Sequence, residues 1–344
     1  MEGPKIGFCT STDGIRKAYA TFGQGPALVC ALDFGFSIKD ITQFPVMMRS
    51  FEKGSRYHTI VAYDHSGTGL SGRNRTDFTM AASVRDLETV IDHLKLNEVI
   101  LYGMCGGGPI AMDYTARHPQ NITHLVLFNT SAHYDLVTTE AIRSSMVSLY
   151  KNRFDFAMRG ALNLMFPGAG TAFTESLIKM LVDNVTPDTY AQYWEKFSEF
   201  DARNILPRIH TQTLVIHRKG YFIPMQAGVE LASLIPNARF VPLEEDQFEP
   251  ARGGYASYER AILEFLGDPV RNDSDDNAGR LASLSHAVKP EQKAGKAAPL
   301  SHLEEPEPGQ KKGAWLHLSN PLVYFTVILL ATVTGGIILM FIKC

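Results

Sequence analysis

Residues 99–119 restrict what this chain can fold into more than any other stretch. The apolar run Val99-Ile100-Leu101-Tyr102 reads as a buried strand. Gly103-Met104-Cys105-Gly106-Gly107-Gly108-Pro109 follows, and then a helical pattern that ends at Arg117-His118-Pro119. Passing from strand to helix in so few residues needs a turn tight enough that glycines flank its central residue, which is Cys105. A side chain held there stands at a helix N-terminus, where negative charge is favoured and backbone N–H groups point outward. A glycine-rich turn of this kind also opens dinucleotide-binding units, so the flanking sequence has to decide.

Upstream, residues 6–9 and 15–22 read as two strands joined by Thr12-Asp13-Gly14, and the continuous apolar runs at 27–32 and 59–63 read as strands buried on both faces. A short helix is expected through Val46, Met47 and Met48. Residues 80–94 carry Val84, Leu87, Ile91 and Leu94 on one helical face and lead into the strand before the turn. Downstream, 124–128 is another strand, so strand and helix alternate as a parallel sheet requires. Residues 132–206 then turn helical, with periodicities at 142–150, 154–166, 173–185 and 190–200, and read as a lid inserted over the C-terminal edge of the sheet. Strands return at 213–217 and 239–243 around a helix at 227–234, and a helix at 255–266 closes a domain of residues 1–267.

After Gly267 the composition shifts. Residues 268–314 contain no aromatic side chain and mix Pro, Gly, Ser and Ala with both charge signs, the signature of a disordered tether. Residues 322–342 then run uncharged, long enough as a helix to cross about 30 Å of hydrocarbon, which predicts a transmembrane helix in a C-terminal tail anchor spanning 315–344. Lys311 and Lys312 before it favour a folded domain on the cytoplasmic side, and the pairs Ala331/Gly335 and Thr332/Gly336 offer a homodimer face within the span. The first residues lack the apolar core of a secretory signal. A net charge of −3 with no long basic run argues against nucleic acid as a partner. The four cysteines show no paired or metal-type spacing, so neither a disulfide framework, a metal site nor a cofactor is expected.

The assembled residues resemble the α/β-hydrolase superfamily across positions 1–267. Asp64-His65-Ser66-Gly67-Thr68-Gly69-Leu70-Ser71 is similar to its post-strand D-x-x-G-x-G-x-S loop, and residues 99–119 to its nucleophile elbow, with cysteine at the serine position. Cys9-Thr10-Ser11-Thr12-Asp13-Gly14 with Ala18-Tyr19-Ala20 resembles the hydrolase-like domains found beside adenylate cyclase or transcription-regulator modules. The resemblance implies an α/β fold with a mostly parallel central sheet, flanking helices and a helical lid. It also implies a nucleophile at Cys105 and an oxyanion region at Phe34, Met104 and Gly106.

The rest of the relay departs from the family pattern. Tyr221 stands in the acid's place, and Gln247 or Phe248 in the histidine's, and neither of these two accepts a proton near neutral pH. Asp33 stands where many members have the residue before the oxyanion glycine, and its carboxylate would repel a developing negative charge. His65 and His133 are candidate surrogate bases, and Asp246 a weak one, whereas His118 and His124 read as scaffold. A thiol at a helix N-terminus can have its pKa lowered without a histidine, which would suit a covalent or redox-sensitive sensor, and the alternative is that Cys105 is a small, inert filler in a dead site. Three readings follow. One is a catalytically degenerate, membrane-anchored pseudohydrolase that binds an apolar small molecule or a protein. The second is a thiol-dependent ester or thioester hydrolase or acyltransferase with a non-standard base, and the third a tethered protein-interaction scaffold.

Overall fold

A computed structural model describes residues 3–41, 51–166, 170–244 and 256–270, all within the unit Met1–Asp273. Eight strands form one sheet in the order β1-β2-β4-β3-β5-β6-β7-β8. They are β1 Lys5–Thr10, β2 Arg16–Gly23, β3 Ala27–Ala31, β4 Thr59–Tyr63, β5 Val99–Met104, β6 Ile122–Phe128, β7 Gln212–Arg218 and β8 Ala238–Leu243. β1 and β2 pair antiparallel, as do β2 and β4, and every other pairing is parallel. The apolar runs of β3, β4 and β5 are buried almost throughout because helices cover both faces of the sheet.

The core divides accordingly. On one face Val29, Leu101 and Leu125 pack with Val84, Leu87 and Ile91 of α1 (Met80–His93) and with Ile110 and Met112 of α2 (Gly107–Arg117). On the other face Leu28, Ile60, Tyr102, Val126 and Phe128 are partnered by Tyr258 and Ala261 of α8 (Ala256–Leu266). Between β6 and β7 lie the lid helices α3 (Glu140–Asn152), α4 (Phe154–Met165), α5 (Thr171–Asn184) and α6 (Pro187–Phe197). α7 (Met225–Leu234) connects β7 to β8. Each lies within two or three residues of its expected bounds.

Two features of this frame fix the site. β3 has β4 on one side and β5 on the other, so the chain leaves its neighbours in opposite directions and opens a crevice at the strands' C-terminal ends, where α/β sheets bind ligands. α2 starts directly over that crevice because Gly107 lets it: a Cβ there would lie well inside contact distance of the Ala31 carbonyl. The D-x-x-G-x-G-x-S loop is held by Asp64, which accepts from the N–H groups of Ile38 at 2.7 Å and Leu70 at 2.6 Å and from the Ser37 hydroxyl at 2.9 Å. Beneath the loop, Lys17 of β2 is fully buried and pairs at 2.5 Å with Asp86 of α1, which also accepts from the Ser66 N–H at 2.8 Å.

Among the described residues no helix is long and apolar enough to cross a membrane. The expected span at 322–342, the tether beyond residue 270 and the helix through Val46, Met47 and Met48 all lie outside the described residues.

Candidate functional site

Cys105 has φ of +47°, a left-handed conformation unusual for a residue with a side chain. Such strain persists only where surroundings over-determine it. Here the Cys105 N–H donates to the Phe128 carbonyl at 3.0 Å, and its own carbonyl accepts from the Gly108 N–H at 3.1 Å and the Thr130 hydroxyl at 2.9 Å. The turn therefore lifts the thiol above the end of β5. Tyr221, from the loop after β7, shares a hydrogen bond with it at 3.1 Å, and the Arg218 guanidinium sits over the Tyr221 ring at 4.8 Å.

Asp33, two residues beyond β3, lies against the start of α2. Its Oδ1 accepts from the Phe34 N–H at 2.9 Å, and the Gly106 N–H also donates to this carboxylate. These are the two backbone donors expected to form the oxyanion region, so the site that should receive a substrate oxygen holds the protein's own carboxylate. Met104, the third expected member, lines the adjoining cavity wall. Burial pushes the Asp33 carboxyl up to about 7 even though both N–H groups stabilise its ionised form.

The thiol is shifted upward as well. Its pKa is pushed up to about 12, first by burial and then by the Asp33 charge, against the Tyr221 hydrogen bond and the Arg218 charge. Desolvation and a neighbouring carboxylate thus outweigh the helix N-terminus, and the lowered pKa that a covalent sensor would need is not found.

Neither surrogate histidine serves Cys105. His65 is buried, bonds through Nε2 to the Leu32 carbonyl at 3.0 Å, and is lowered to about 4 by burial. His133 bonds through Nε2 to Glu230 at 3.2 Å and accepts at Nδ1 from the Asp135 N–H at 3.3 Å, so both ring nitrogens are engaged elsewhere. His118 meets Glu88 at 3.0 Å and His124 lies edge-on to Phe265, as scaffold residues do. Asp246, Gln247 and Phe248 lie outside the described residues. No cluster of three metal-ligating side chains occurs among the described residues.

A cavity of about 190 Å3 opens from Cys105 and Asp33 and continues over the sheet face that α8 covers. Leu28, Cys30, Tyr102, Val126 and Phe128 form its floor, α4 and α5 contribute Met165, Phe173 and Leu177, and α8 contributes Tyr258 and Ile262. The Tyr258 hydroxyl donates to that of Tyr102 at 2.7 Å, so the wall offers no free phenol there. Several residues around this site were not singled out from sequence. Tyr193 stacks on Phe34 at 3.9 Å between ring centroids, and the spacing Tyr190, Tyr193, Trp194, Phe197 along one helix carried the signal of an inward aromatic face. Arg218 left no sequence signal, since its place beside Tyr221 depends on the path of the loop after β7.

Comparison with known proteins agrees with this architecture. The family model described as the alpha/beta hydrolase fold matches residues 43–165. The chain is 25% identical over 226 residues to the "Putative carbamate hydrolase RutD" of Pseudomonas savastanoi pv. phaseolicola, covering 62% of this chain and 85% of that protein. A hydrolase from Pseudomonas aeruginosa PA01 superposes with a TM-score of 0.64 at 24% identity, covering 76% of this chain and 98% of the other. The enol-lactonase from Burkholderia xenovorans LB400 does so with a TM-score of 0.65 at 20% identity, covering 76% and 100%. With its mostly parallel eight-stranded sheet, its helical insertion and the glycine-rich strand-to-helix turn at Cys105, the chain has the α/β-hydrolase fold.

Proposed function

We propose that this protein is a ligand-binding member of the superfamily that has given up hydrolytic turnover, holding an apolar small molecule in the cavity beside Cys105. The observation that carries this reading is the Asp33 carboxylate on the N–H groups of Phe34 and Gly106. Acyl transfer needs those donors for the oxyanion of its tetrahedral intermediate, and losing even one such donor costs about 100- to 1,000-fold in turnover. Here both are taken by a group of the wrong charge. A thiol held protonated, with a phenol as its hydrogen-bond partner and no imidazole contacting it among the described residues, adds to the same reading.

The test is turnover of p-nitrophenyl acetate, p-nitrophenyl decanoate and decanoyl thioester by the full-length chain and by Cys105→Ala. Equal background rates are expected from the two, together with saturable binding of octanol measured by calorimetry. Turnover that disappears in Cys105→Ala would establish the second reading, a thiol-dependent hydrolase. The hydrolase names of the relatives favour that alternative.

The reading also places the protein at a membrane through residues 322–342, facing the cytoplasm. Deleting 315–344 is expected to move the protein from the membrane pellet to the soluble fraction. A truncated chain still in the pellet would remove the tail as its anchor.

A further inference from the structure

The polar end of the cavity is unusual for a site that binds only apolar matter. Asp33 faces it with no cation in contact among the described residues. Arg218 is held over the Tyr221 ring and by the Met165 carbonyl, Arg75 lies 5.7 Å from the Phe34 ring but is tied to Asp86 and Ser83, and Lys53 in the cavity wall pairs with Glu259 at 2.5 Å. The titratable groups close enough to feel the Asp33 charge are Cys105 and the phenols of Tyr134, Tyr150, Tyr190, Tyr193 and Tyr221. Burial drives all six upward, so all are neutral around pH 7 and none balances the carboxylate.

A second observation points the same way. Tyr193 is 3% exposed, and its hydroxyl has no hydrogen-bond partner. That oxygen stands 3.4 Å from where a Cβ on Gly106 would project, a position the Asp33 carboxylate also crowds. A buried hydroxyl without a partner is costly, and a polar group brought to it would offset that cost. The carboxylate has acceptor capacity left after its two backbone bonds, since an ionised carboxyl offers roughly four lone-pair sites. Aromatic faces around a carboxylate are also the surroundings in which a cation is held well.

We propose that Asp33 and Tyr193 form the headgroup subsite for a long-chain primary ammonium, whose N–H groups donate to the Asp33 carboxylate and the Tyr193 hydroxyl while its alkyl chain lies along the apolar sheet face. This rests on the cavity being a ligand site. An alkyl carboxylate would meet Asp33 with like charge, and an alcohol would leave that charge without a counterion. The ammonium supplies the missing charge and three donors.

Calorimetric titration of the full-length chain in lipid nanodiscs with octylamine, octanol and octanoate at pH 8 tests the subsite separately from the cavity. Octylamine is expected to bind about tenfold or more tighter than octanol, with octanoate weakest. Asp33→Asn should erase the amine's advantage and leave octanol binding in place, and Tyr193→Phe should reduce the advantage several-fold. At pH 5.5, below the carboxyl's titration near 7, the advantage should shrink. Equal binding of amine and alcohol, or preference for octanoate, overturns the headgroup assignment while the cavity reading stands. Failure of all three to bind overturns both.

Discussion

Iodoacetamide should alkylate Cys105 at pH 8 about a hundredfold more slowly than it alkylates an unstructured cysteine. A thiol with its pKa pushed up to about 12 has about a thousandfold less thiolate at that pH than one near 8.5. The greater nucleophilicity of a more basic thiolate recovers roughly one and a half decades of that loss, which leaves the net deficit at about two decades. The pH profile is as diagnostic as the rate: labelling should keep climbing about tenfold per pH unit past pH 9, without a plateau. Peptide-level mass spectrometry separates Cys105 from buried Cys9 and Cys30. A plateau at or below pH 8.5 would restore the covalent-sensor reading of the elbow. It would also mean that Asp33 and burial do not govern the thiol.

The largest effect on stability is expected from Asp86→Ala. Lys17 has no exposed surface and Arg75 almost none, and Asp86 lies 2.5 Å from the first and 3.5 Å from the second. Removing the carboxylate leaves two buried cations without their counterion and takes the acceptor from the Ser66 N–H and hydroxyl. Loss of one partner from such a buried pair costs about 3–5 kcal/mol. In a domain of this size that corresponds to a fall in Tm of roughly 10 °C, readable by thermal or urea denaturation. The double change Lys17→Met with Asp86→Leu should recover at least half of the loss, because it removes the stranded lysine charge as well as its partner. A single-variant loss below about 1 kcal/mol would show that water reaches this network and screens it.

These two sites differ in how much of them could be read before the fold was known. The strands were legible because buried parallel strands are apolar without interruption, as in Ala27–Ala31 and Thr59–Tyr63. The elbow was legible because only glycines fit where α2 meets β3. The lid helices showed through their periodicity, and their bounds follow caps such as Thr139 and Thr186, whose hydroxyls accept from Ile142 and Thr189. The ionisation of Cys105 was not legible. The helix N-terminus is visible in sequence, but the desolvation and the carboxylate that overrule it depend on β3 lying beside β5. Asp33 was recognised as hostile to an oxyanion, yet its occupation of the donors is a matter of distance. His65 and His133 looked available for the same reason: a histidine in a loop reveals its partners only when Leu32 and Glu230 arrive from elsewhere in the chain.

The register of β3 against β5 has one more consequence. Ala31 sits opposite Gly103, so Asp33 and Cys105 each follow two residues beyond the same rung of the sheet. The pairing of adjacent strands therefore brings the two residues to the same edge of the sheet, whatever the posture of the lid. The carboxylate that occupies those N–H groups comes from the end of a strand and not from a lid helix. The obstruction behaves as a fixed stop built into the frame, and converting this scaffold back toward acyl chemistry would begin with the codon for residue 33 before any change in the lid.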